Sequence, residues 1–80
     1  MAKPKTKVQN RIRQLRFETD EMTQQQLAAL IGVTRQTVNA IEGGKYSPSL
    51  EVAFRIAQTF ACPLDDVFQF PSDTVESDEL

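Results

Sequence analysis

Eighty residues allow a single domain, and a composition of 40% hydrophobic and 25% charged residues is ordinary for a globular protein. With one cysteine (Cys62) and no histidine, the chain cannot form an internal disulfide, a zinc site of the usual Cys/His kind, or a Ser/His/Asp or Cys/His catalytic site. No apolar run approaches the roughly 20 residues of a membrane span, and the N-terminus lacks the apolar segment of a signal peptide, so we expect a cytoplasmic protein.

The charges are distributed unevenly, although the formal net charge is only −2. Six of the nine basic residues lie in the first 16 positions with no acid among them: Lys3, Lys5, Lys7, Arg11, Arg13 and Arg16. Four of the eleven acids lie at the other end: Asp73, Glu76, Asp78 and Glu79. We therefore expect a basic flexible arm over residues 1–7, a folded domain over 8–70 and an acidic disordered tail over 71–80. Two interpretations of the tail stay open: it keeps the protein soluble, or it competes with phosphates.

The first two predicted helices have clear apolar patterns. The first, over residues 8–19, has an apolar stripe at spacings i, i+4 and i+7: Val8, Ile12 and Leu15. The second begins after Thr23, a capping residue that forms a capping box with Gln26. Its predicted buried face consists of three apolar residues: Leu27, Leu30 and Ile31. Gly32 ends this helix, because glycine tolerates the positive φ of the position after a helix.

Three more helices are predicted in the second half of the chain. Thr34 caps the third, which turns Val38 and Ile41 inward and ends at Gly43-Gly44. Ser49 caps the fourth, over about 50–60. Its predicted inner stripe is apolar: Leu50, Ala53, Phe54, Ala57 and Phe60, with Ile56 beside them. A short fifth helix over roughly 63–68 starts at Pro63 and closes the core with three apolar residues: Leu64, Val67 and Phe68. The prediction is therefore an all-α domain of five helices.

The stretch TQQQLAALIGVTRQTVNAIEGGKYSPSL, residues 23–50, contains the most informative pattern. Two short helices meet across a tight turn, in which Ala28 permits a close helix crossing and Gly32 permits the left-handed backbone. Val33, Val38 and Ile41 attach the second of these helices to the body. This spacing is typical of a helix-turn-helix, whose second helix protrudes into the groove of a DNA duplex.

The exposed half of the third predicted helix offers base-reading chemistry. At 100° per residue, Thr34, Thr37, Val38 and Ile41 lie on one half, and the other half consists of Arg35, Gln36, Asn39 and Ala40. Arginine suits guanine O6 and N7, glutamine and asparagine suit adenine N6 and N7, and an alanine methyl suits thymine. The same residues also fit an ordinary solvated helix face, and the turn in front of them favours the DNA-reading interpretation.

Residues 10–68 resemble the phage-repressor and Cro type of helix-turn-helix, also called the xenobiotic-response-element family. The resemblance is closest to compact regulators that read VTRQTVNAIEGGKYSPSLEVAFRIAQTF…PLDDVF. It implies a lambda-repressor-like five-helix DNA-binding domain, with the helix-turn-helix at helices 2 and 3. It also implies a transcriptional regulator, not an enzyme, that binds double-stranded DNA in a sequence-specific way and has no cofactor.

The resemblance also assigns roles to individual residues. The family's base-reading positions match Arg35, Gln36, Asn39 and Ala40 here. Its phosphate-binding positions match Gln24, Lys45 and Tyr46. We add Thr37, which lies between them, and Thr23 beside Gln24 as further phosphate candidates. Arg16 and Glu42 match a family ion pair that joins helix 1 to the end of helix 3, which we interpret as structural.

One departure from the family pattern lies in the turn between the first two helices. The segment from Arg16 to Gln24 is one residue longer than the common form, so we expect a bulge around Asp20-Glu21. This length leaves the register of the first helix open, and with it the Arg16 ion pair. It also leaves open whether Phe17 is buried or exposed.

A single domain of this size makes few phosphate contacts, so we expect a homodimer on a palindromic operator. The predicted interface is helix 5 with Phe68–Phe70, and repression by promoter occlusion is the simplest action. Antitoxin, protein-adaptor and RNA-binding functions are the alternatives, although the helix 3 face lacks an apolar anchor for a protein and stacking aromatics for RNA.

Two smaller features have structural interpretations. Asp65 and Asp66 are interpreted as acids at a helix start, and Cys62 is interpreted as a buried small residue. No metal, membrane or small-molecule ligand is expected.

Overall fold

Five short helices and one pair of two-residue strands make up residues 6–71, the part of the chain that the computed structural model describes. The predicted tail from 72 onward and the arm before Thr6 lie outside the described residues. In chain order the elements are β1 (Gln9–Asn10), α1 (Ile12–Glu18), α2 (Gln24–Ile31), α3 (Arg35–Glu42), α4 (Leu50–Thr59), α5 (Leu64–Val67) and β2 (Phe68–Gln69). The predicted small all-α helix-turn-helix fold is confirmed, and the antiparallel pairing of β1 with β2 is an addition to it.

The predicted capping residues begin the three central helices. Each side-chain hydroxyl accepts a backbone N–H from the third helical residue: Thr23 from Gln26, Thr34 from Thr37, and Ser49 from Val52. At α2 the Gln26 side chain returns the interaction by accepting the N–H of Thr23 at 2.8 Å, which completes the predicted capping box. Each such cap stabilises its helix by about 1 kcal/mol, a useful contribution for helices of eight to ten residues.

The core lies where α1, α2, α3, α4 and α5 converge. Its largest fully buried side chains come from all five helices: Ile12, Leu27, Ile31, Val38, Ile56 and Val67. Ala28 and Ala57 are buried among them, which allows close helix packing. Half-buried apolar residues surround this centre: Leu15, Met22, Val33, Val52, Phe60, Cys62, Leu64 and Phe68. A core this small depends on every helix contributing one or two side chains.

The predicted first helix was wrong at its start. Residues 8–10 do not continue the helical stripe, because Gln9 and Asn10 pair with Gln69 and Phe68 as strands. The Asn10 side chain then accepts the backbone N–H of Ile12 at 3.1 Å, so α1 begins two residues after Asn10. Strand pairing between distant segments overrides a local pattern that the sequence shows clearly.

Two apolar stripes were predicted too broadly. Leu30, Leu50 and Phe54 are 61%, 67% and 48% exposed, so their predicted burial was wrong. On α4 the buried arc is centred between Ile56 and Phe60, and Leu50 and Phe54 fall just beyond its edge at 100° per residue. The fifth helix also ends at Val67, one residue before its predicted end, because Phe68 belongs to β2.

Left-handed backbone marks both turns that flank α2. The expected bulge before α2 appears as positive φ angles of 59° at Asp20 and 55° at Glu21. After α2, Gly32 adopts φ 79° and ψ 31° and donates its N–H to the carbonyl of Ala28, as predicted for a helix-ending glycine. The turn at Gly32 sets the direction in which the chain enters α3.

Replacement of Gly32 tests how strongly the fold depends on this turn. A side chain at φ +79° is strained, and an added Cβ atom would lie 3.2 Å from Nη1 of Arg55. We expect Gly32→Ala to lower the free energy of unfolding by about 1–2 kcal/mol and Gly32→Val to lower it further. Gly32→Asn, which tolerates left-handed backbone better, should cost less than either. Equal thermal unfolding of all four proteins would contradict this role.

Candidate nucleic-acid interface

The outward face of α3 is polar, and the inward face fixes its position. Val38 and Ile41 are 1% and 2% exposed and attach the helix to the core. On the opposite face Arg35, Gln36 and Asn39 are exposed, and Ala40 is half-buried. The structure therefore places the three polar base-reading candidates together on the free side of α3, with Ala40 at the edge of that surface.

A nearly buried ion pair holds the end of α3 against α1. Nε of Arg16 lies 2.6 Å from Oε2 of Glu42, and Nη2 donates to Oε1 at 3.1 Å. The two side chains are only 11% and 10% exposed. The remaining nitrogen, Nη1, donates to the carbonyl of Met22 at 2.8 Å, so Arg16 also fastens the turn before α2. The Arg16–Glu42 pair is present although the turn before α2 is one residue longer than the common form, and Phe17 is left 54% exposed.

Gln24 connects this ion pair to the exposed face of α3. Its Nε2 group donates to Oε1 of Glu42 and to Oδ1 of Asn39, each at 3.2 Å. The family resemblance assigns Gln24 to phosphate binding, but here its side-chain donors are used within the protein. The sequence did not predict this contact, because nothing in the spacing of residues 24 and 39 specifies side-chain orientation.

The other phosphate-binding candidates lie around α3. Thr23 is exposed, and its oxygen caps α2. The hydroxyl of Thr37 lies 2.9 Å from that of Thr34. Lys45 and Tyr46 are exposed in the loop after α3, where the Lys45 N–H bonds the carbonyl of Ala40 at 3.0 Å. The structure thus places the phosphate candidates at the start of α2, on α3 and in the loop after α3.

Two further residues border this surface and were not predicted as site residues. Arg13 and Phe17 line a shallow groove that continues past Gln24 and Asn39 to Lys45. The guanidinium of Arg13 lies over the Phe17 ring, 5.6 Å from its centre, which favours an ordered position for the charge. The sequence shows that the N-terminal part of the chain is basic, but only the fold places that segment beside α3.

Asn10 is a third contact that the sequence did not indicate. Its Nδ2 group donates to the carbonyls of Ile41 and Glu42 at 3.0 and 3.4 Å. These bonds satisfy carbonyl groups that the end of α3 leaves without intrahelical partners. The strand segment therefore holds the end of α3 from a second side.

The described residues give no sign of a metal centre or a membrane segment. Within residues 6–71, no group of three or more His, Cys, Asp or Glu side chains is arranged to hold a metal ion. None of the helices in the same region combines the length and the apolar character that a membrane span needs.

Comparison with known proteins adds a family and several relatives. Residues 12–67 match the helix-turn-helix family HTH_3. An uncharacterized HTH-type transcriptional regulator from Methanocaldococcus jannaschii is 50% identical over 52 residues, 65% of this chain and 79% of that protein. One from Archaeoglobus fulgidus is 39% identical over 66 residues, 82% of this chain and 92% of the relative. The Bacillus subtilis regulator YgzD is 43% identical over 61 residues, 76% and 91% of the two chains.

The ion pair is tested by removing its acid. Glu42→Ala leaves the Arg16 guanidinium nearly buried without a carboxylate, so we expect a loss of roughly 3 kcal/mol in the free energy of unfolding, measured by urea denaturation. Glu51→Ala is the matched control, because it breaks an exposed pair with Arg55 whose side chains are 76% and 49% exposed. That control should cost at most about 0.5 kcal/mol. Similar losses in the two variants would show that the Arg16 pair has no special structural role.

Proposed function

The chain belongs to the helix-turn-helix family HTH_3, and the relatives above are named as HTH-type transcriptional regulators. We propose that this chain regulates transcription by placing α3 in the major groove of duplex DNA. The observation that carries this proposal is the division of α3 into two faces. Val38 and Ile41 are buried, while Arg35, Gln36 and Asn39 project from the opposite side. A helix anchored in this way presents polar side chains on a rigid support, as base reading requires.

Each exposed residue of α3 has a separate role in this proposal. Arg35, at the first position of the helix, reaches guanine O6 and N7 through two guanidinium N–H groups. Gln36 and Asn39 use their side-chain amides on neighbouring base edges. Ala40 supplies only an apolar contact, which suits a thymine methyl group. These contacts allow α3 to distinguish DNA sequences although it spans only a few base pairs.

Contacts to the DNA backbone set the register of α3 in the groove. We assign them to the start of α2, at Thr23 and Gln24, and to Thr37, Lys45 and Tyr46. Because the Gln24 side chain already bonds Glu42 and Asn39, its contribution to a phosphate is the backbone N–H at the start of α2. The exposed ammonium of Lys45 adds a charge-based contact that carries no sequence information.

We further propose that the protein binds as a homodimer on a palindromic operator and represses by occluding a promoter. Two recognition helices about 34 Å apart supply the affinity that one small domain lacks. Phe70 is 62% exposed beside β2, and Leu64 and Phe68 are only half-buried, which supports an interface at α5 and residues 68–70.

Replacement of the three polar residues of α3 tests DNA reading. We expect the Arg35→Ala, Gln36→Ala and Asn39→Ala triple variant to lose preference for a duplex selected from random sequences, because each base contact contributes about 1–3 kcal/mol of discrimination. Binding is measured by fluorescence anisotropy at two salt concentrations. Lys45→Gln is the contrasting variant: it should weaken binding to all duplexes and reduce the salt slope by about one. An unchanged sequence preference in the triple variant would refute the proposal.

The dimer is tested by sedimentation equilibrium with and without the selected duplex. We expect two protomers per palindromic duplex and one protomer when Phe70→Asp places a charge in the interface. Phe54→Asp is the matched control on α4, since Phe54 is also exposed. Loss of pairing in the Phe54 variant alone would move the interface to α4, and one wild-type protomer per palindrome would rule out the dimer.

A further inference from the structure

A chain of hydrogen bonds with a fixed direction runs from the buried ion pair to the exposed face of α3. It starts at the carboxylate of Glu42, which forms an ion pair with Arg16 and accepts hydrogen bonds without donating any. Oε1 of Glu42 accepts from Arg16 at 3.1 Å and from Gln24 at 3.2 Å. The acceptor end of the chain is therefore set inside the protein.

This acceptor fixes the amide of Gln24. Turning the Gln24 carbonyl oxygen toward Glu42 would bring two acceptors together without a proton between them, so the NH₂ group must face the carboxylate. The second hydrogen of the same NH₂ group then points to Oδ1 of Asn39, also at 3.2 Å. Because Gln24 donates to Glu42, it also donates to Asn39 and does not accept from it.

The orientation of Asn39 follows from the same reasoning. Its carbonyl oxygen faces Gln24, so its NH₂ group faces away from Gln24. Asn39 is exposed, and within residues 6–71 its Nδ2 atom has no hydrogen-bond partner. Two amide hydrogens are therefore available on the solvent side of α3.

We propose that Glu42 and Gln24 are positioning residues that make Asn39 a hydrogen-bond donor in the major groove, so that Asn39 reads guanine. Guanine is the one base that presents two major-groove acceptors, N7 and O6. Cytosine presents a donor, adenine presents one donor and one acceptor, and thymine presents a single acceptor beside its methyl group. This inference rests on the proposed function, and it replaces the usual pairing of asparagine with adenine by a preference that Glu42 sets from inside the protein.

The first experiment locates the base that Asn39 contacts. Duplexes carrying each base pair at every position of the selected half-site are titrated with the wild type and with Asn39→Ala. We expect one position at which the wild type binds the guanine-containing duplex about tenfold more tightly than the others, while Asn39→Ala binds all of them equally. Replacing that guanine by 7-deazaguanine, which lacks the N7 acceptor, should weaken the wild type several-fold and leave Asn39→Ala unchanged.

The second experiment tests the positioning role. Gln24→Met keeps the length of the side chain and removes its donors, which frees the amide of Asn39 to rotate. We expect the guanine preference at the Asn39 position to fall to about twofold and adenine binding to increase there, with preferences at the other positions retained. Gln25→Met is the matched control, because Gln25 is exposed and adjacent and its side chain has no hydrogen bond within residues 6–71. Circular dichroism melting confirms that both variants fold.

The outcomes separate this inference from the proposed function. A preference for an A·T pair at the Asn39-dependent position of the wild type, or a G·C preference that 7-deazaguanine on either strand leaves unchanged, overturns the inference and leaves DNA reading intact. Equal loss at all positions in Gln24→Met overturns it too, since a merely structural role acts in that way. A wild type that selects no duplex sequence at all overturns both the inference and the proposed function.

Discussion

The buried contact between Arg16 and Glu42 is the interaction on which the arrangement of the other elements depends. Through three nitrogens, Arg16 joins α1 to the end of α3 and to the carbonyl of Met22 before α2. Few apolar side chains are available to fix these short helices, so one guanidinium whose three nitrogens all donate hydrogen bonds limits how they can move against each other. Such a pair adds little net stability compared with apolar residues of the same size, and its value lies in specifying one arrangement.

That arrangement has a direct consequence for the outer surface. Because Glu42 is held on its inner side by Arg16, its remaining lone pairs can orient Gln24, and Gln24 in turn contacts Asn39. The buried charge and the exposed face of α3 therefore form one connected structure. A side chain that is oriented before DNA arrives loses less conformational freedom on binding than a free one.

The sequence predicted the features that depend on local chemistry. The caps at Thr23, Thr34 and Ser49 and the left-handed turn at Gly32 follow from residue type and position, and all are present. Burial at the edges of helices was less predictable: Leu50 and Phe54 lie beside the inner arc of α4, and periodicity alone does not define where that arc ends. The pairing of Gln9–Asn10 with Phe68–Gln69 joins segments about sixty positions apart, so no local pattern indicates it. The same holds for the contacts of Gln24, which only the packing of α2 against α3 determines.

Nuclear magnetic resonance of the free and bound protein shows whether the outward face of α3 meets DNA. Amide and side-chain NH₂ signals are followed while a selected duplex is added to the ¹⁵N-labelled chain. We expect the largest changes at Arg35, Gln36 and Asn39, including the side-chain NH₂ group of Asn39, with smaller changes at the start of α2 and at Lys45. Changes concentrated in α4 and α5 while α3 stays unperturbed would contradict this expectation.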